Sequence, residues 1–447
     1  MVKDDSIALA ENATKMAQKL GADQTEAFLL KGYQYSINLE ESSIVKANKK
    51  SLTGIGLRVL KDKAIGIASS SKLQDSLIEA TVQDAVSLAK VSKPDPNNIG
   101  FASQQKSYPK VTGLYNADLA NLESKELVEL AIEALNASLE RDETINVGGS
   151  ITLNVGSKII VNSNGINIQS KTTALQIFLS NKIVKDEDIG VGMEFGFGRS
   201  LDEINFEKIG KSATEKAFSM LGGQKIESAM YPFILDERAT RTTINGILSR
   251  GVSAYNIIQG TAFFNDRLGE EIASPALTVY DNPIQDNGIF SRTFDDEGSA
   301  TQKVSIVEKG TLLSYLSDVY TAKKLDIPNT GSASKQGYEG IPRPQLQLTQ
   351  IEPGTATKEE LFEELGTGLY LERGLFSMAG TNISQQVDVG YWVEKGEIKF
   401  PVKNTMLGTT VYDVLKNIQL IGKDLLIEGG MHSPMVLVGP TKFSSGR

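Results

Sequence analysis

The chain offers few side chains that could run a reaction. Its 447 residues include one histidine, His432, and no cysteine. His432 lies in the loop-like run Gly429-Gly-Met-His-Ser-Pro434, with neither a second imidazole nor a thiolate to share a zinc ion. It reads as a structural or solvated residue, or as one serving a subunit interface. Without thiols, disulfides and thiolate nucleophiles are excluded. The densest acidic group is Asp295, Asp296 and Glu297, followed by Gly298. Its spacing is not that of a calcium loop, so a turn whose carboxylates cap nearby N–H groups is the expectation. The serines of Gly246–Ser253 have no neighbouring histidine to act as base, and a triad would have to recruit His432 from far along the chain. Gly190-x-Gly192 and Gly196-x-Gly198 imitate a nucleotide fingerprint, but they sit in strand-like sequence with no helix opening directly after them. Close packing on a sheet is the better use of those glycines.

These residues must be positioned by elements that the hydrophobic pattern outlines. Ser6–Leu20, Leu73–Val91 and Ser124–Arg141 carry apolar residues at helical spacing. Ala27–Leu39, Gly54–Leu60, Ala64–Ala68, Asn146–Asn154, Lys158–Asn162 and Ile166–Ser180 read as strands, with turns at Lys61–Lys63, Asn164-Gly165 and Lys185–Asp188. Lys93–Tyr115 is a long polar connection. The run of helix, strands and helix appears twice, over Ser6–Val91 and Ser124–Met220, either as an internal repeat or as a recurrence of common elements.

After Gly222-Gly223 the composition turns to strands and glycine. Tyr231–Leu235 opens this half. Arg241–Val252 follows as a helix with Ile244, Ile247, Leu248 and Val252 on one face, and Ala276–Tyr280 is a short strand. Turns are expected at Glu308–Gly310 and Glu394–Gly396, helices at Lys358–Leu365 and Val411–Ile421, and a polar, mobile loop at Ser332–Arg343. The fold class is therefore α+β: a sheet-and-helix domain over residues 1–223, then a β-rich domain over 224–447 built on a curved sheet or barrel.

Hydrophobic residues make up 40% of the chain and charged ones 23%, ordinary for a globular protein, and the net charge is −9. Such a charge gives no footprint for nucleic acid. No apolar leader opens the sequence and no run of about 18 apolar residues could span a bilayer, which with the missing cysteines suits the cytoplasm.

The stretch Arg241–Gly298 is similar to the central segment of the TldD/PmbA family. The likeness is carried by Gly260-Thr-Ala-Phe-Phe264, Leu268-Gly269, Ile272-Ala-Ser274, Leu277-Thr-Val279 and Asp296-Glu-Gly298, and later by Gly390-Tyr-Trp-Val-Glu-Lys-Gly-Glu397 and Phe400-Pro-Val402. It runs from about Glu41 to the C-terminus. The TldD branch is a zinc peptidase with H-E-x-x-x-H on the helix that opens the segment. Counted back from Asn256, those positions fall near Ile244, Asn245 and Ser249, none of them a ligand. A further TldD ligand is a cysteine, absent here. The chain thus resembles the PmbA branch, also called TldE.

That resemblance implies a non-catalytic subunit with no catalytic residue, metal or cofactor of its own. Its partner would be a zinc-bearing TldD-type subunit, the two enclosing a chamber that admits unfolded peptide. Asp295, Asp296 and Glu297 would lie in the cavity region and help position that peptide. The second reading is a self-associating binding or regulatory protein, the class to which the family's older name, modulator of DNA gyrase, belongs.

Overall fold

The computed structural model describes residues 6–446, the side chain of Leu375 excepted. Residues 1–5 of the opening stretch, read above as lacking an apolar leader, lie outside the described residues. The first sheet has seven antiparallel strands: β1 (Gln24–Glu40), β2 (Ser43–Ser51), β3 (Gly54–Lys61), β4 (Ala64–Ser70), β5 (Asn146–Asn162), β6 (Asn167–Lys185) and β7 (Asp188–Gly198). Their order is β4-β3-β1-β5-β6-β7. One edge of β1 is shared. Its first half, Gln24–Leu30, pairs with β3, and its second half, from Tyr33, pairs with β2. The two helix-and-strand runs of the sequence therefore meet in a single sheet, joined where β1 pairs with β5.

Helices α1 (Ser6–Lys19), α2 (Asp75–Val91), α4 (Ser124–Leu139) and α5 (Phe206–Ser219), with the short α3 (Ala117–Asn121), supply the cover for one face. Strand periodicity sorts the sheet's side chains. Leu29 and Val161 meet α1 and α2, whereas Phe28 and Ile160 point to the other face and meet Phe294 of the second half. Glycine sets how closely the helices approach. A Cβ on Gly192 would lie 2.1 Å from Ala213 O, and one on Gly190 would lie 2.0 Å from Ala217 O. Gly190 and Gly192 of β7 thus serve helix packing.

The second half carries an 11-stranded sheet. Within it Met230–Leu235 (β8), Gly368–Ala379, Asn382–Glu394, Thr405–Thr410 and Met431–Ser445 pair in turn, and the last returns to β8 to close a five-stranded barrel. Helix α6 (Glu237–Gly251) follows β8 and shares the main core: Ile244, Ile247 and Leu248 are buried with Phe233, Leu371 and Phe443. The α+β reading and the barrel hold.

Several local expectations need correction. Asn146–Asn154 and Lys158–Asn162 are one strand, because Gly156 pairs with Gly32 and Thr172 and the ladder runs on through it. Val411–Ile421 is helical only over Val411–Lys416. From Ile418 the chain is a strand on Met431–Ser445, where pairing with Val436–Val438 overrides a spacing that also suits a helix. Ala276–Tyr280 begins in a turn and becomes strand only from Val279, paired over Val279–Asp281. Ser332–Arg343 is anchored: Ala333–Ser334 pairs with Arg343–Pro344, and Ser332 and Ala333 are buried.

Because β7 depends on bare glycine against α5, Gly192→Val should lower stability by about 1–3 kcal/mol through overpacking, read as a reduced urea midpoint with an unchanged m-value.

Candidate functional site

Helix α6 begins where Asp236 Oδ1 accepts the N–H of Ala239 at 2.6 Å. Its apolar stripe faces the barrel core, and the positions picked out in the sequence divide around the helix. Ile244 is 2% exposed and belongs to the core. Asn245 is half-buried with its Oδ1 unpaired, and Ser249 is exposed. The fold does not bring the three to a common point, and none carries a zinc ligand. Among the described residues, no group of three His, Asp or Glu side chains could hold a metal. A zinc ion does not fit this helix. His432 is on a strand rather than in a loop, opposite Gln350 and Ile427, and burial with nearby Lys303 holds its imidazole below the ordinary value.

At the N-terminal half of α6 lies a cavity of about 250 Å³ between the two sheets. Phe195 of β7, Lys216 of α5, Arg238 and Arg241 of α6, and Glu372 of the Gly368–Ala379 strand line it. Arg238 bridges the halves, pairing with Glu194 of β7 and with Glu428. Arg241 Nη2 reaches Glu428 Oε2 at 2.9 Å, and Lys216 Nζ reaches Glu194 at 3.0 Å. Burial pushes Glu194 up, but Lys216 and Arg238 more than reverse this and hold it below its usual range. Among the described residues Asp236 makes no ion pair, and Lys216 and the Ala239 N–H only partly offset its burial. Burial, with Glu372 and Glu237 adding repulsion, drives its carboxyl up to about 8. Glu372 is likewise raised by burial. Gln385 Oε1 and Arg241 Nη1 are buried without a partner. The cavity therefore offers an acceptor and a donor, the complement of a backbone amide.

Asp295, Asp296 and Glu297 form a second cluster, all buried where the sheets face each other. Asp295 Oδ1 accepts the N–H groups of Glu297 and Ser299 at 2.9 Å, as the capping expectation requires, and its Oδ2 accepts that of Ala333. Asp296 binds Lys158 of β5 at 2.6 Å, and Glu297 binds Arg58 of β3 at 3.0 Å. Arg58 also forks onto Glu26 of β1, which takes Lys335 Nζ at 2.9 Å. Burial alone would raise Glu26, but Arg58 and Lys335 overcome it and keep the carboxylate charged. Asp295 and Asp318 are pushed up, first by burial and then by Glu297. Sequence reading missed Glu26, Arg58, Lys158 and Lys335. For Glu26, Arg58 and Lys158 the only local signal was a charged residue in a largely apolar strand, and Lys335 lies in a loop.

Residues 25–89, 117–221 and 228–445 match three successive family models, PmbA/TldA metallopeptidase domain 1, central domain and C-terminal domain. The chain belongs to the PmbA/TldD family. It is 26% identical over 446 residues to the metalloprotease PmbA of Escherichia coli O157:H7, covering 98% of this chain and 96% of that one. It is also 23% identical over 446 residues to a metalloprotease TldD homolog of Buchnera aphidicola, covering 96% and 90%. Among solved structures, a protein of Thermotoga maritima described as a modulator of a DNA gyrase superposes with a TM-score of 0.87 at 25% identity, covering 98% and 99%. TldE of Thermococcus kodakarensis gives 0.88 at 21%, covering 98% and 100%, a likeness of fold.

Two outcomes follow for this PmbA/TldD chain. Asp236→Asn keeps the cap but cannot ionise. The ordinary carboxyl value is 3.8 and the folded one about 8. The folded wild type therefore holds the proton more tightly, and its stability falls as pH rises between those values. Relative to Asp236→Asn, the wild type should lose more than about 1.4 kcal/mol, the worth of one pKa unit, between pH 4 and pH 8 in paired urea titrations. Arg58→Met leaves Glu26 and Glu297 buried without their guanidinium and should cost about 3–5 kcal/mol in the same measurement at pH 7.

Proposed function

We propose that this chain is the non-catalytic, TldE-type subunit of a TldD–TldE zinc peptidase that processes unfolded peptides. The carrying observation is helix α6, which keeps its cap and its core face while the metal-motif positions are Ile244, Asn245 and Ser249. Zinc and its activated water would belong to the TldD-type partner. This chain would complete the chamber wall and hold extended peptide, with the unpaired polar atoms of Arg241 and Gln385 beside α6 and with Asp295, Asp296 and Glu297 ordering the loops behind it. The names of the relatives support a peptidase-related role. Among the described residues no helix is long and apolar enough to cross a membrane, which is compatible with work in the cytoplasm.

The second reading, a stand-alone regulatory protein, is favoured by the description of the Thermotoga maritima structure. The net charge of −9 favours a protein rather than DNA as the contact of such a regulator.

The pure chain should contain no stoichiometric zinc by elemental analysis and should cleave no peptide. Mixed with a TldD-type protein of the same organism it should give cleavage of unfolded peptides. Changing the partner's motif Glu to Gln should abolish this, while Asn245→Ala in this chain should leave part of it. Chelator-resistant cleavage by the isolated chain would overturn the non-catalytic assignment. Equal activity of the partner with and without this chain would overturn the chamber role.

A further inference from the structure

The joint between the two halves holds more buried carboxylates than cations. The first sheet brings Glu26, Arg58 and Lys158 to it. The second half brings two cations, Lys335 and Arg292, and five carboxylates, Asp281, Asp295, Asp296, Glu297 and Asp318. Six carboxylates therefore meet four cations. Three ion pairs cross the joint: Glu297 with Arg58, Asp296 with Lys158 and Glu26 with Lys335. The fourth cation, Arg292, stands 3.9 Å from Asp296, and its field reaches Asp281 and Asp295. With all six carboxylates ionised, two negative charges would lack a counterion in a place closed to water, which is costly.

The surplus gathers around Glu297. Its Oε1 takes Arg58, and its Oε2 accepts the N–H of Val319 at 2.9 Å. Asp295, two residues back, is held by backbone N–H groups of its own half. Asp318 caps the helix Val319–Leu325, and its Oδ1 accepts the N–H and the hydroxyl of Thr321 at 2.8 and 2.7 Å. Neither Asp295 nor Asp318 makes an ion pair among the described residues. Burial, and then the charge of Glu297, raise both from the ordinary 3.8 to about 7, while Arg292 and Arg58 offset only part of this. Asp281 is raised by burial too, with the N–H groups of Gln347 and Leu348 on its Oδ1. Tyr108 donates to Gly298 O at 3.0 Å, and burial pushes its phenol up, so it brings no charge to this turn.

We propose that these carboxylates form a proton-operated latch: the joint is tight while the set around Glu297 retains protons, and the halves part more readily once it ionises. Parting would return Asp295 and Asp318 to water, where they ionise near 3.8. The closed joint holds their protons more tightly than the open one. Its stability is therefore lost progressively as pH rises from the ordinary value toward 7, and it levels off above that. Glu26 and Asp296 are held below the ordinary range by their cations, so the crossing pairs stay intact over this window. The cavity beside α6 lies between the same two sheets, and the latch bears on entry to it. The inference does not rest on the peptidase reading.

A thiol reporter tests the latch, since the chain has no cysteine of its own. Ala102 is 5% exposed, in the apolar cluster of Phe28, Ile160 and Phe294 that crosses the joint. Ala134 of α4 is fully buried inside the first half. Ala102→Cys and Ala134→Cys, each in the full chain, are labelled with a methanethiosulfonate between pH 5 and pH 8.5. Each rate is divided by that of an unfolded cysteine peptide at the same pH. The normalised rate at position 102 should rise at least roughly tenfold from pH 5 to pH 7.5, the worth of one proton over one pH unit, and then level off. The rate at position 134 should stay constant. Asp318→Asn keeps the capping oxygen and places an amide where the proton would be. Added to Ala102→Cys, it should cut the rise at least threefold, whereas Asp236→Asn, which removes the titrating group beside α6, should leave the rise unchanged. Melting curves check that the variants fold, and the profile of Ala102→Cys alone decides the matter if Asp318→Asn does not. A flat profile at position 102, an equal rise at position 134, a rise unchanged in folded Asp318→Asn, or a rise removed by Asp236→Asn would each overturn the proposal.

Discussion

The buried charges between the two sheets are the constraint on which the arrangement of this molecule depends. Glu26 and Arg58 stand on adjacent strands of the first sheet, and Glu297 and Lys335 come from loops of the second half. Removing such groups from water is costly, and the cost is offset only when each charge meets its partners in good geometry. The halves therefore cannot slide or separate without leaving ions bare. Where carboxylates crowd one another, the surroundings favour the neutral form: Asp295 and Asp318 rise while Glu26 and Asp296 stay charged. The turn at Asp295–Gly298 is the centre of this joint, holding the loop at Ala333 through Asp295 and the sheet through Asp296 and Glu297.

Polar joints of this kind pack less completely than an apolar interface. The helix-covered face of the first sheet is closed by alanine and glycine contacts. The opposite face meets the second half through ion pairs, a few aromatic contacts such as Tyr108 with Phe294, and open cavities. Those cavities lie where a ligand would touch both halves at once, so occupancy and the relative placement of the halves are physically linked.

Helix α6 is held by its cap and by one buried face. Its cap is made by Asp236, and its apolar stripe runs through Ile244, Ile247 and Leu248 into the barrel core. Ile244 turns into the core, and Asn245 and Ser249 contribute no ligand. The core face of this helix is set by packing, whereas its remaining faces are open to other uses.

The sequence by itself determined what depends on neighbours along the chain. Helix stripes such as Val82–Ala85–Ala89 and the strands of the first sheet other than β2 were legible from periodicity. So were the tight turns at Asp62-Lys63, Lys309-Gly310 and Lys395-Gly396, all with positive φ. The absence of thiols and of a second imidazole was also readable directly. Tertiary structure decided what depends on distant partners. β2 is a polar strand with no apolar alternation, defined only by its ladder to β1. Ile418–Glu428 is a strand because Met431–Ser445 lies beside it. Arg58 and Glu297 are 239 positions apart, and no local pattern says that a lone arginine in an apolar strand will be buried against that carboxylate. Short-range propensity acts over a few residues, whereas the burial of charge is settled only when the sheets come together.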